Sequence, residues 1–134
     1  MTTGKLKYSQ THYWIKSRKD IVTIGVTDYF INEIGNIIDL VLPKVKEEII
    51  TGISYGEIES INNYSDLIAP ISGEVIKVNS DLPTNLSKLK KDPFGDGWFI
   101  KVRIIEPKQL ETFMNEDEYE EYKKSIKKKT RQKK

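Results

Sequence analysis

The 134-residue sequence has no cysteine, one histidine and two methionines. Without cysteine there is no disulfide framework, no zinc-thiolate site and no thiol nucleophile. With His12 as the sole histidine, no histidine pair can hold a metal within one chain, and His12 reads as a packing residue of the first strand rather than as a catalytic base. Long hydrophobic runs are missing too. No stretch approaches the roughly 20 apolar residues that cross a bilayer, and Met1–Gln10 lacks the apolar centre of a signal peptide, so a cytoplasmic protein is expected. Phosphate-binding patterns are absent. Gly95-Asp96-Gly97 is followed by apolar strand-like residues, not by a Gly-x-Gly-x-x-Gly helix or a Walker sequence, and reads as a plain turn. Catalytic residues, metal ligands and independent enzyme activity are therefore not expected.

What is present is a folded domain. The hydrophobic fraction is 37%, the mean hydropathy is −0.52, and Ile, Val, Leu and aromatic residues recur from Tyr8 through Ile105. One core fits this length. The net charge of +2 is unevenly placed: Lys123–Lys134 contains eight basic residues and no acid, and subtracting those eight from +2 leaves −6 for residues 1–122. The expected division is a domain over 1–122 and a basic, disordered tail over 123–134, in a monomer. The tail could bind nucleic acid or an anionic surface by counterion release, but a solvated tail is the preferred reading.

Short strands dominate the pattern. Tyr8–Ile15 and Ile21–Val26 read as strands joined by a loop over Lys16–Asp20. From Thr27 the apolar spacing changes to three and four residues through Tyr29, Phe30, Ile31 and Ile34. That predicts a short helix, capped by Thr27 or Asp28 and stopped at Gly35. Strands follow at Asn36–Leu42 and Ile53–Ile61, with a turn and an edge over Val45–Thr51 between them. Ile58–Ile68 has apolar flanks about a polar centre and reads as an exposed hairpin whose Asn62-Asn63 can take the positive φ of a tight turn. Alternation from Gly73 to Asn79, a turn over Pro93–Trp98 and a strand over Trp98–Ile105 complete the β part. Pro107–Ile126 then predicts one or two helices that pack back on the sheets.

Trp14, Trp98, Tyr8, Tyr13, Phe94 and Phe99 could stack nucleic-acid bases, but their alternation along strands favours core packing. Glu57 and Glu59 share one face of an extended strand, where solvated carboxylates are far commoner than a general acid and base.

Four blocks carry a family resemblance. They are Tyr8-Ser9-Gln10-Thr11-His12-Tyr13-Trp14; Gly25-Val26-Thr27-Asp28-Tyr29-Phe30 with Gly35 and Pro43; Glu59-Ser60-Ile61 with Ser65, Pro70, Ser72 and Gly73; and Pro93-Phe94-Gly95-Asp96-Gly97-Trp98. In this order and spacing, over roughly Leu6 to Tyr122, the chain resembles the H protein family of the glycine cleavage system. The resemblance implies a mainly β, α+β fold: a lipoyl-domain-like β-sandwich or barrel-sandwich hybrid with a short internal helix and one or more C-terminal helices. It also implies a shuttle whose lipoyl-lysine carries an aminomethyl group between glycine decarboxylase and aminomethyltransferase and is reoxidised by dihydrolipoyl dehydrogenase.

The family reads Glu-Ser-Val-Lys at the hairpin tip, and this chain reads Glu59-Ser60-Ile61-Asn62. The lipoyl position therefore falls on Asn62. A carboxamide nitrogen, with its lone pair delocalised into the carbonyl, cannot attack an activated acyl group as an amine does. No lysine lies between Lys46 and Lys77. No lipoate or other cofactor is expected on this chain. By resemblance, Glu59, Ser60, Ile61, Ser65, Asp66 and Gly73 remain as recognition residues for partner or lipoate-attaching enzymes. Leu86 and Lys90 stand where the family usually has proline and asparagine.

Overall fold

The computed structural model describes residues 6–132, with side chains described through residue 126. In chain order the elements are β1 (Lys7–Tyr8), β2 (Tyr13–Arg18), β3 (Ile21–Val26), α1 (Asp28–Ile34), β4 (Ile37–Val41), β5 (Glu48–Ile49), β6 (Ser54–Ser60), β7 (Tyr64–Ile68), β8 (Gly73–Val78), α2 (Ser87–Lys91), β9 (Ile100–Arg103) and α3 (Glu116–Gln132). Two 3₁₀ turns, Leu82–Thr84 and Pro107–Thr112, lie before α2 and α3.

Alternation decides the architecture. In β2, β3, β8 and β9 the buried side chains Ile15, Val22, Ile24, Val75, Ile100 and Val102 line a six-stranded antiparallel sheet ordered β1-β2-β3-β9-β8-β5. Leu40, Ile58 and Leu67 do the same for a three-stranded antiparallel sheet, β4-β6-β7. All nine belong to one hydrophobic cluster, which makes the molecule a mainly β sandwich. Each such residue contributes roughly 1.5–3 kcal/mol of transfer free energy, so the pairing of the two faces is the dominant stabilising term.

The blocks that carry the family resemblance are also structural contacts. Trp14 is buried and its indole N–H donates to the Pro93 carbonyl at 2.9 Å, joining the first block to the fourth. A Cβ on Gly25 would lie 2.7 Å from the Trp14 ring, so the glycine makes room for the indole. Of the other aromatics proposed as core, Tyr8, Tyr13 and Phe99 are buried, Trp98 is half-buried, and Phe94 is 38% exposed.

Helix α1 forms as its spacing predicts. The Thr27 hydroxyl accepts from the Phe30 N–H at 3.3 Å, Gly35 takes φ 93°, and its N–H donates to Ile31 at 3.0 Å. Elsewhere local chemistry departs from the expected boundaries. The strand expected over Tyr8–Ile15 is broken at Ser9–His12, because Ser9 exchanges hydrogen bonds with Tyr13 and His12 adopts φ 72°. His12 therefore sits in a turn rather than in the first strand. The loop expected over Lys16–Asp20 shrinks to Lys19–Asp20, with Lys19 at φ 57°. Helix α2 has no apolar periodicity to reveal it, since only Leu89 of its five residues is buried.

Helix α3 crosses the junction placed at 122/123. Lys123 and Lys124 form ion pairs with Glu120 and Glu121 one turn back, and Lys123 lies 4.9 Å from the Tyr119 ring centroid. The expected tail thus begins as helix; the side chains of residues 127–134 lie outside those described. Tyr119 anchors α3. It stacks on Tyr8 with centroids 4.6 Å apart, and its hydroxyl lies 2.8 Å from both His12 Nδ1 and the Thr27 hydroxyl. Burial pushes the Tyr119 phenol up to about 12, so it stays protonated and available as a donor.

This clasp has a definite pH response. Burial holds the His12 imidazole below its ordinary 6.5; Glu33 opposes this and Lys123 adds to it. As pH falls below 6.5 the unfolded chain takes up this proton before the folded chain does, so stability is complete above that pH and is lost below it. Wild-type protein is expected to lose more melting temperature than His12→Gln between about pH 7 and about pH 5. Equal losses in both proteins would show that His12 is not the group responsible.

Candidate functional site

The Ile58–Ile68 segment does form an exposed hairpin, from β6 and β7, with Ile61 and Asn62 at its tip. Its closure differs from the expected one. Neither Asn62 nor Asn63 takes positive φ. Instead the Ser60 N–H donates to the Asn63 carbonyl at 2.7 Å, and the Asn63 N–H donates to the Ser60 hydroxyl at 3.0 Å. A side-chain acceptor thereby replaces the backbone carbonyl that a left-handed turn would use. The Ile61 N–H reaches sideways to the Asn36 carbonyl at 3.0 Å, tying the tip to the segment that follows α1.

Pleating sorts the expected recognition residues. Ser60 is 2% exposed and turned inward, so it shapes the hairpin rather than meeting a partner. Ile61, Asn62, Ser65 and Asp66 are exposed, and Glu59 is half-buried. Glu59 pairs across the strands with Asp39 on one side and Tyr64 on the other, and Glu57 pairs with Val41 and Asp66 in the adjoining row. Asp39, Glu57, Glu59 and Asp66 thus share the outer face, and none of them forms an ion pair among the described residues. The Tyr64 phenol is raised by its hydrogen bond with Glu57 first, and by the negative charges of Glu57, Asp66 and Glu59. The face is acidic, with the exposed apolar side chains of Ile61 and Tyr64 at its tip end.

Gly73 is not brought to this surface. It lies on β8 in the other sheet, opposite Ile49, and a Cβ there would run into the Arg103 carbonyl oxygen and approach Val102 at 2.5 Å. Its smallness serves strand packing. Leu86 and Lys90 do lie close to the hairpin. Both line a cleft between α1 and α2 that also includes Asn36, the residue bonded to Ile61. Sequence reading missed this neighbourhood because α2 itself was not visible in the pattern. Among the described residues no group of three or more His, Cys, Asp or Glu side chains is placed to hold a metal.

A two-sheet sandwich that holds one hairpin tip clear of its core is a lipoyl-domain-like architecture. A family profile for the glycine cleavage H-protein matches residues 6–126, and the chain belongs to that family. It is 43% identical over 114 residues to the glycine cleavage system H protein of Synechococcus sp., covering 85% of this chain and 88% of that protein. It is 36% identical over 118 residues to the corresponding protein of Staphylococcus epidermidis, covering 88% and 94% respectively. The crystal structure of the H protein from Mycobacterium marinum superposes with a TM-score of 0.78 at 30% identity, over 88% of this chain and 95% of that one. H proteins carry lipoate and work with the glycine cleavage enzymes; they are not themselves catalysts. No described helix is long and apolar enough to cross a membrane.

Two substitutions separate structural from contact roles. Ser60→Ala is expected to cost about 1 kcal/mol and to speed hydrogen exchange at the Asn63 amide, with the sandwich intact. Gly73→Ala is expected to cost about 1–3 kcal/mol in denaturant unfolding through overpacking against β9. A fully stable Gly73→Ala protein would show that the close approach to β9 does not require glycine there.

Proposed function

We propose that this chain is a lipoate-free H-family protein that docks on glycine cleavage or lipoate-handling enzymes through the surface from Glu59 to Asp66. The observation that carries this reading is a closed, exposed hairpin with a carboxamide, Asn62, where the family's acceptor amine is expected. Amide bond formation with lipoate needs a free amine lone pair, which Asn62 does not offer. The residues at the tip therefore do not fit covalent lipoate. No aminomethyl transfer is routed through them.

What the chain keeps is shape and charge. The outer face of β4, β6 and β7 presents Glu59 and Asp66 beside an exposed Ile61, a combination suited to a partner surface that is basic with an apolar centre. Candidate partners are glycine decarboxylase, aminomethyltransferase, dihydrolipoyl dehydrogenase and lipoate-attaching enzymes, met in the cytoplasm by a monomer. Lys123 and Lys124 pair with acids of their own helix; docking by the hairpin is the reading adopted, with an anionic-surface role for the basic segment as the alternative.

Restoring the amine tests the docking surface. Incubated with lipoate ligase and lipoate, Asn62→Lys is expected to gain one lipoyl group by intact mass, and the native protein none. Failure of Asn62→Lys to gain the mass would show that the surface no longer docks, and lipoyl mass on the native protein would end the lipoate-free reading.

A further inference from the structure

A sheet edge presents a row of backbone N–H and C=O groups that will pair with another chain unless something blunts it. Three of the edge strands here are blunted. β1 and β5, at the ends of the six-stranded sheet, have two residues each, and β4 carries a register shift between Ile37 and Asp39 with the 3₁₀ turn Leu82–Thr84 lying against it. β7 is different. It runs for five residues, the extra residue of its one register shift, Tyr55, belongs to β6, and among the described residues no strand lies on its outer side.

The register fixes what this edge offers. The Ser60 N–H bonds to the Asn63 carbonyl, and bonded and non-bonded pairs alternate along an antiparallel ladder. The main chain of Ser65 and Leu67 therefore faces β6, and that of Tyr64, Asp66 and Ile68 faces outward. The outward Asp66 carbonyl accepts the hydroxyl of its neighbour Ser65 at 3.1 Å, which leaves it a second lone pair. The side chains of the same three residues are exposed on one face of the strand, in the order apolar, acidic, apolar. Two more exposed isoleucines lie at the Ile68 end: the Ala69 N–H donates to the Ile53 carbonyl at 3.0 Å, and the Ile53 N–H donates to the Ile50 carbonyl at 2.9 Å.

We propose that the outer edge of β7 takes up an extended segment of a partner protein as a fourth strand of the small sheet, antiparallel like the pairings already there, with a basic residue opposite Asp66 and apolar residues opposite Tyr64 and Ile68. Each of the three outward residues can exchange two hydrogen bonds with the residue facing it. Charge chooses the centre of the incoming strand. Glu57 stands directly across from Asp66, and Glu59 across from Tyr64 in the next row, so a lysine or arginine is favoured there and an acid is repelled. The same charge excludes a second copy of this chain, because pairing β7 with itself over its full length sets Asp66 against Asp66. Strand addition of this kind is independent of the docking role: it uses the main chain of β7 rather than Ile61 or Asn62, and its test contains neither lipoate nor a glycine cleavage enzyme.

Full-length, amide-labelled protein is titrated by NMR, at low salt, with the acetylated and amidated heptapeptide Ser-Val-Thr-Lys-Thr-Val-Ser. Expected are saturable shifts and slowed hydrogen exchange at the amides of Tyr64, Asp66 and Ile68. Binding should weaken about fivefold or more when glutamate replaces the peptide lysine, and by as much in Asp66→Lys, which should take the glutamate peptide better than the native protein does. Methylating the backbone nitrogens of the lysine and both valines keeps every side chain and the charge but removes the donors, and should abolish binding. The absence of saturable shifts overturns the proposal. So does equal binding of the methylated peptide, which would show a charged surface and no added strand. Equal affinity for the glutamate peptide, or unchanged affinity in Asp66→Lys, overturns the assignment of a basic residue opposite Asp66 and the proposal with it.

Discussion

The burial of one face of a six-stranded sheet against one face of a three-stranded sheet sets the terms for everything else in this molecule. Ile58 and Leu67 are committed to that interface by the hydrophobic effect, and a strand cannot turn one side chain inward without turning its neighbours outward. Glu57, Glu59, Tyr64 and Asp66 are therefore held on the opposite face as a consequence of the core. A one-residue slip in β6 would bury Glu57 and Glu59 and expose Ile58, at a cost far beyond the few kcal/mol a domain of this size can spare. The outer face is as rigid as the sandwich beneath it.

The hairpin tip combines that rigidity with an economical closure. Ser60 is the last inward position of β6, and its hydroxyl is used to accept the Asn63 N–H. The tip consequently needs neither glycine nor a left-handed residue, and the residue displayed there can vary chemically without altering the turn. In this chain the displayed group is a carboxamide. The same geometry would present an amine equally well, so the framework and the chemistry of the family are separable in physical terms.

A second, smaller contact system holds the C-terminal helix. Tyr119 stacks on Tyr8 and shares its hydroxyl between His12 and Thr27, and Thr27 also caps α1. One phenol therefore joins the first turn of the chain, the start of α1 and the start of α3. The residue farthest from expectation is His12: a strand position would have buried it among apolar neighbours, but its left-handed turn places it against Tyr29, Tyr119 and Tyr122.

By itself the sequence determined the β-rich class, the limits of α1, the exposed hairpin and the identity of the residue at its tip. These follow from local periodicity, from capping chemistry at Thr27 and Gly35, and from the amino acid at position 62, none of which requires knowledge of distant residues. Only the tertiary structure decided what Ser60, Gly73, Leu86 and Lys90 do. Ser60 closes the hairpin and Gly73 packs against β9, because the sheets that receive them are assembled from strands distant in sequence. Helix α2 escaped notice for the same reason: five residues with one buried leucine carry no helical period, and the packing of Leu89 and the cleft beside Asn36 exist only once α1 and the hairpin are in place.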